Sequence, residues 1–404
     1  MTKKENTFAP AIERSQAIRP FKISVPEEEL LDLKRRILAT KFPEKETVND
    51  NSQGVPLATV QSLAKYWATS YDWRKVEAKI NAYPNYITEI DGLDIHYIHV
   101  RSKHKNALPI IITHGWPASI IHNLKIIDSL TNPTAHGGTA EDDFDVVIPS
   151  TPGYGFSGKP TIMGWGPERI GRAWVTLMKR LGYKKFLAQG GDWGAIITDL
   201  MAVESPENLL GIHTNMAGVV PAEIDALAYN SAPTPSELSI EEKRAYEQLV
   251  FVYKHVFYAY YMGSRPQTLV GLTDSPVGLA TFIIDLEARG LEMTSRSFAG
   301  RSESVTREDF LDNITLFWLT NTVVSSARIY WENKSAFFSP KGVTVPVAVS
   351  VFPDELYEAP RSWAEKAYPN LIHYNKLPNG GHFPAREQPE SFVEELRMAF
   401  KSLR

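Results

Sequence analysis

The stretch that most restricts how this chain can fold is Phe186-Leu-Ala-Gln-Gly190-Gly191-Asp192-Trp193-Gly194-Ala195, where a short apolar strand runs through small residues straight into a helix. A side chain at position 190 or 194 would clash across so tight a turn, which explains the glycines there. The bend pushes the residue between them, Asp192, to its tip. Strand, tight turn and helix in this order form the G-x-Nu-x-G pattern of a nucleophile elbow, with Asp at the nucleophile position. Taken alone, an Asp before a helix also reads as an N-cap. Its surroundings decide between the two.

Strands and helices alternate on both sides of the elbow. A hairpin over 87–100 turns at Asp91-Gly92, and strands follow at 108–113 and 144–148. Then come a helix over 167–181, the elbow strand 186–189, a helix over 195–203 and a strand over 209–216. Alternation at this spacing implies a parallel sheet and an α/β fold. It stops after Ala217, giving way to helical, aromatic sequence such as 241–261, and resumes with strands 343–352 and 371–376 and a closing helix over 390–403. A helical insertion between the sixth and seventh strands of such a sheet is the arrangement of a lid. The division expected is a meander over 1–90, core over 91–218, lid over 219–342 and core again over 343–404.

In the meander, Ser24, Pro26 and Glu27 open a helix with Leu30, Leu31, Leu33, Ile37 and Leu38 on one face, and a second amphipathic stretch runs over 58–71. Residues 131–143, rich in Gly, Thr and acids, read as a surface loop. With 43% hydrophobic residues in a chain of 404, there is apolar mass for a sizeable core. A formal charge of −4 offers no basic field for nucleic acid. Cysteine is absent, which removes thiol nucleophiles and zinc thiolates, so the nucleophile is oxygen or nitrogen. Lys3, Lys4, Glu5, Glu13 and Arg14 fit neither signal peptide nor membrane anchor, and the longest apolar runs, such as 108–112, are too short for a bilayer. A soluble, cytoplasmic protein acting on a small molecule is expected.

Three further segments give the elbow company. Gly380-Gly381-His382-Phe383-Pro384 lies between the last strand and the closing helix, and chain order in an elbow-bearing fold runs nucleophile, acid, histidine. The turn after strand 343–352 offers the acid as Asp354 or Glu355. Thr113-His114-Gly115-Trp116-Pro117 follows its strand where such a fold supplies an oxyanion donor, expected from the Trp116 backbone with the Trp193 N–H as partner. His114 reads as a brace for that loop.

Other patterns carry less. Gly153-Tyr-Gly155-Phe-Ser-Gly158 has dinucleotide-site spacing, but Lys159-Pro160 leaves no room for the required helix, so a pocket-shaping loop is expected. His96 and His99 are three apart on a strand, point opposite ways and cannot share a metal. The sequons at Asn313 and Asn333 have no secretory signal beside them.

The HGWP loop, GGDWG elbow and GGHF turn, with Phe21-Lys-Ile-Ser-Val-Pro26 and Asn81-Ala-Tyr-Pro-Asn-Tyr86 in the meander, resemble the microsomal-type epoxide hydrolases of the α/β-hydrolase superfamily, which include soluble fungal members. The likeness runs from about residue 20 onward. It implies an α/β-hydrolase fold, Asp192 as nucleophile, His382 as base, Glu355 as its acid, and two lid phenols at Tyr258 and Tyr330. It also implies a homodimer, and the sequence departs from it in one respect, since the membrane helix of the animal members is not expected here. Trp116, Trp193 and Phe156 are expected around a pocket for lipophilic epoxides.

The chemistry implied needs water and an epoxide, with no cofactor and no metal. A carboxylate is ionised at neutral pH and can open the strained ring from behind, forming an ester. Two phenols can protonate the departing alkoxide. Water activated by His382 then frees a vicinal diol. A haloalkane dehalogenase would share the Asp and place a halide near Trp193, but the meander and the paired tyrosines stand against it. A non-catalytic binding module would lack a member of the set, and the sequence lacks none.

Overall fold

In the computed structural model, which describes residues 16–286 and 305–404, the strands join in one sheet. In chain order they are β1 (Arg19–Phe21), β2 (Asn85–Ile90), β3 (Leu93–Val100), β4 (Leu108–Thr113), β5 (Phe144–Pro149), β6 (Phe186–Gly190), β7 (Leu209–Thr214), β8 (Val347–Val351) and β9 (Leu371–Lys376). Across the sheet the order is β1-β2-β3-β5-β4-β6-β7-β8-β9. The first three strands pair antiparallel with their neighbours up to β5, and the rest pair parallel. Connections account for the difference. Asp91 and Gly92, both at positive φ, make the two-residue turn of a hairpin between β2 and β3. Helices Pro167–Arg180 and Trp193–Glu204 make the crossovers that parallel strands require.

The central strands are apolar on both faces, and their two-residue period divides them between two cores. Ile110, Ile112, Val146, Ile148 and Ala348 pack with helices Trp73–Asn81 and Pro389–Ala399. Ile111, Val147, Ala188, Val347 and Val349 pack on the other side with Pro167–Arg180 and Trp193–Glu204. Between β7 and β8 the chain leaves the sheet for helices that include Ala222–Tyr229, Ile240–His255, Phe257–Ser264, Arg307–Thr320 and Val323–Glu332. Amino-terminal helices are tied to this insertion by an indole N–H of Trp67 donated to Thr315 Oγ1 (3.0 Å) and a guanidinium of Arg36 on Asp274 (2.9 Å).

Several expectations are corrected. The insertion follows the seventh strand, not the sixth, because Arg19–Phe21 pairs with β2 and adds a strand ahead of the hairpin. The meander is therefore continuous with the sheet. On helix Glu27–Leu38 only Leu33 and Ile37 of the predicted face are buried; Leu31 and Leu38 are turned outward. The helical sequence expected over 241–261 forms two helices, separated at Val256, whose ψ of 60° is not helical. Strand β8 begins only after Pro346, which has no N–H to give a ladder. The loop 131–143 contains two short 3₁₀ turns and buries Thr131, Pro133 and Asp143. Lys3, Lys4, Glu5, Glu13 and Arg14 lie outside the described residues. Among those described, no helix is long and apolar enough to cross a membrane.

Candidate active site

Polar residues just past the carboxyl ends of β6, β7, β8 and β9 meet: Asp192, Asn215, Glu355 and His382. Asp192 follows β6, at φ 53° and ψ −129°, a left-handed conformation costly for a non-glycine residue. Its neighbours explain how the turn is held. A Cβ on Gly190 would lie 2.0 Å from the carbonyl oxygen of Gly194, and one on Gly194 2.0 Å from that of Thr113. Asp192 stands at the N-cap position of helix Trp193–Glu204, but its side chain makes no capping bond.

Asp192 Oδ1 accepts the backbone N–H of Trp116 at 2.7 Å, while Oδ2 faces His382 Nε2 at 3.2 Å. On its other side, His382 Nδ1 bonds to Glu355 Oε1. Glu355 is fixed in turn by the Leu356 N–H on Oε1 (2.8 Å) and the Asn215 amide on Oε2 (3.0 Å). Asn215 also donates to the His382 carbonyl at 3.3 Å. Of the two acids left open on the turn after β8, Glu355 is buried against the imidazole. Asp354 is exposed, and its backbone bridges to Gly381. Burial opposes a charge on His382, but the charge of Glu355, followed by hydrogen bonds to Asp192 and Glu355, carries its pKa well above the usual histidine value.

The HGWP loop is clamped from above. Asn313, on helix Arg307–Thr320, donates to the Pro117 carbonyl at 2.7 Å and accepts the Ser119 hydroxyl at 2.7 Å. Its sequon is thereby buried. His114 braces the loop as expected, bonding Gly115 O at 2.9 Å and accepting Thr151 N–H at 3.2 Å. Burial pushes its pKa down to about 4, so it stays neutral. The Trp193 backbone N–H heads its helix and, among the described residues, makes no hydrogen bond to the carboxylate in this resting state.

Above Asp192 lies a cavity of about 970 Å³ walled by aromatic and aliphatic side chains from the insertion. Asp192 and Trp193 form its floor; Tyr258, Tyr330, Phe282 and Phe337 stand around them. Tyr258 and Tyr330 come from different helices, with ring centroids 6.1 Å apart. Burial, then the proximity of Tyr258 and Asp192, raises the Tyr330 pKa well above that of a free phenol, keeping its proton in place. The Trp193 ring lies edge to face against Tyr330, with centroids 4.7 Å apart.

Two predicted pocket residues are placed elsewhere. Phe156 packs against Phe21 and His96, at centroid distances of 5.6 and 5.3 Å, because β1 covers that side of the Gly153–Gly158 turn. Tyr154 points inward from the same turn, against His114. Trp116 is buried behind the tyrosines, 5.1 Å from the Tyr258 ring, since its indole N–H donates to Ser326 on helix Val323–Glu332 at 3.2 Å. Sequence reasoning missed Asn215, although a polar residue just past the end of an apolar parallel strand was the available signal.

The chain resembles known proteins along nearly its whole length. The family described as epoxide hydrolase N terminus matches residues 18–123, and the alpha/beta hydrolase fold family matches 109–258. A Stigmatella aurantiaca protein with the provisional name of epoxide hydrolase is 51% identical over 389 residues, covering 96% of this chain and 86% of that one. Among solved structures, juvenile hormone epoxide hydrolase from Bombyx mori is similar with a TM-score of 0.88 and 30% identity, over 98% of this chain and 96% of its own. The Aspergillus niger epoxide hydrolase follows at 0.80 and 27%, over 97% and 98%. With nearly its whole length matched in sequence and in fold, the chain belongs to the epoxide hydrolase family of the α/β-hydrolase superfamily.

Proposed function

We propose that this protein converts lipophilic epoxides to vicinal diols through an ester on Asp192. One observation carries the reading: a buried carboxylate, gripped on one oxygen by the Trp116 amide and faced on the other by His382, forms the floor of an apolar cavity whose wall presents Tyr258 and Tyr330.

The geometry supports a division of labour. With Oδ1 engaged by Trp116, Oδ2 attacks an epoxide carbon from behind; the C–O bond breaks and the alkoxide takes a proton from a phenol. His382, steadied by Glu355, then deprotonates a water that adds to the ester carbonyl. The oxyanion stays at the Trp116 amide, joined by the Trp193 amide as the carbonyl carbon becomes tetrahedral. Collapse breaks the bond from the carbonyl carbon to the diol oxygen, which takes the proton from His382, and the water's second proton leaves the new carboxyl to restore the phenol. One further part of the reading comes from the family likeness: a homodimer, tested by sedimentation. A cytoplasmic location, expected from the sequence, is tested by cell fractionation.

The decisive experiment is one turnover with enzyme in excess in ¹⁸O water. Diol from the first turnover is expected to carry oxygen from Asp192, and the label to appear in the enzyme. Label wholly in that first diol means direct attack by water, and halide release from a chloroalkane in place of diol from an epoxide returns the site to dehalogenase chemistry.

A further inference from the structure

Once an ester has formed, its organic half occupies the aromatic cavity, so water needs another approach to the carbonyl carbon. The structure contains a second, far smaller cavity of about 30 Å³ that shares no lining residue with the aromatic one. Gly115, Gly191 and His382 are in its wall, and each adjoins Asp192: Gly191 precedes it in the chain, a Cβ on Gly115 would lie 2.1 Å from its Oδ1, and His382 faces its Oδ2. The remaining wall includes Thr113, Ala118, Asn123, Gln189 and Asn215.

Size points to water, and so do the polar groups in a wall that also holds Phe383, Pro384, Ala385 and Phe392. A site needs roughly 10–15 Å³ per water and two to four polar partners, so this space takes about two molecules. Thr113 Oγ1 is buried and has no hydrogen-bond partner among the described residues, a costly state for a hydroxyl unless the cavity supplies one. The glycines matter for the space itself, since a Cβ on Gly191 would reach within 2.6 Å of Asn215 Oδ1.

We propose that this cavity delivers the hydrolytic water, with Thr113 as the positioning residue that holds it beside His382. The inference rests on the Asp192 ester reading above. The water gives a proton to His382 Nε2 and its lone pair to the carbonyl carbon of Asp192. The bond from that carbon to the diol oxygen then breaks, the diol leaves with the proton from His382, and the water oxygen stays in the carboxylate. The Thr113 hydroxyl exchanges no atoms; it fixes where the water sits.

The test separates the two half-reactions by rapid quench and intact-mass measurement of the ester, using Thr113→Val, which keeps the shape, and Thr113→Ser, which keeps the hydroxyl. Loss of one neutral hydrogen bond predicts ester hydrolysis slowed about tenfold in Thr113→Val. Ester formation should keep its parental rate, kcat and KM should fall together, and Thr113→Ser should restore hydrolysis. Parental hydrolysis in Thr113→Val, or equal slowing of both half-reactions, overturns the proposal. Absence of any ester in the unsubstituted protein overturns the Asp192 reading and this inference with it.

Discussion

His382 Nε2 stands 3.2 Å from Asp192 Oδ2 while its other ring nitrogen bonds to Glu355, so one imidazole lies between two carboxylates. Burial favours the neutral ring; the Glu355 charge and the hydrogen bonds to both acids favour the imidazolium and prevail. Alkylation removes the Asp192 charge and with it part of what holds the proton, so the His382 pKa falls when a base is needed.

This coupling has a definite sign. A raised pKa means the ring is protonated below it, so ester hydrolysis should fall as pH drops through the His382 pKa of the esterified enzyme, which lies below that of the free enzyme. Glu355→Gln removes the leading charge that raises the pKa and should move this acid limb to lower pH. Single-turnover hydrolysis rates across pH check it; a limb that stays put or moves up contradicts the assigned coupling.

Replacing His382 by Gln should leave Asp192 able to form the ester but unable to lose it. A positioned base contributes ~10²–10⁴ in rate, so hydrolysis should slow by that order while the burst of ester formation persists. Mass spectrometry of the protein after mixing with epoxide should show a stable adduct, and a missing adduct counts against nucleophilic attack by Asp192.

Tyr258 and Tyr330 face the same cavity from separate helices, an arrangement suited to sharing one developing alkoxide. Removing either hydroxyl as Phe should slow ester formation, and removing both should cost about 10²–10⁴, the range for a lost general acid. Hydrolysis of ester already formed should be untouched. Equal loss in both steps would assign the tyrosines to packing.

The sequence disclosed those parts of the site that rest on local sterics. Gly190, Asp192 and Gly194 announce the elbow because only one backbone path accommodates them, and His382 is signalled by its place after the last strand. Tertiary packing hides the rest. Phe156 and Trp116 are as aromatic as Phe282 and Phe337, yet β1 covers the first and Ser326 draws back the second. Asn215 matters through Glu355, a partner 140 residues away. β1, at three residues, has too few positions to show a period.

The elbow sterics can be tested by stability. On Gly194 a methyl would press on the carbonyl of Thr113, and neither the strand nor the helix can retreat without losing its ladder. Gly194→Ala should cost ~3 kcal/mol or more, beyond ordinary overpacking. Gly182 serves as control: its φ of 93° is strained for alanine, but nothing lies within 4 Å of a new Cβ, so Gly182→Ala should cost about 1 kcal/mol. Urea denaturation of both variants measures the contrast, and similar midpoints would remove the steric explanation.

Asp199 lies one helical stretch below the nucleophile, nearly inaccessible to solvent, accepting the Tyr368 hydroxyl at 3.1 Å. Burial lifts its pKa from 3.8 to about 7, against the weaker pull of Lys341 and Tyr368. The folded protein therefore keeps a proton that the unfolded chain has already released between those values. By linkage this group favours folding less and less as pH rises from about 4 to 7, and the whole loss is in place above that. A rise of this size sets a ceiling of ~4 kcal/mol. Asn at this position accepts the same hydroxyl and cannot ionise, so Asp199→Asn should gain stability relative to the parent as pH rises from about 5 to about 8. Thermal or urea unfolding at both values measures the gap. A gap of constant size across that interval would mean that Asp199 does not titrate in the folded protein.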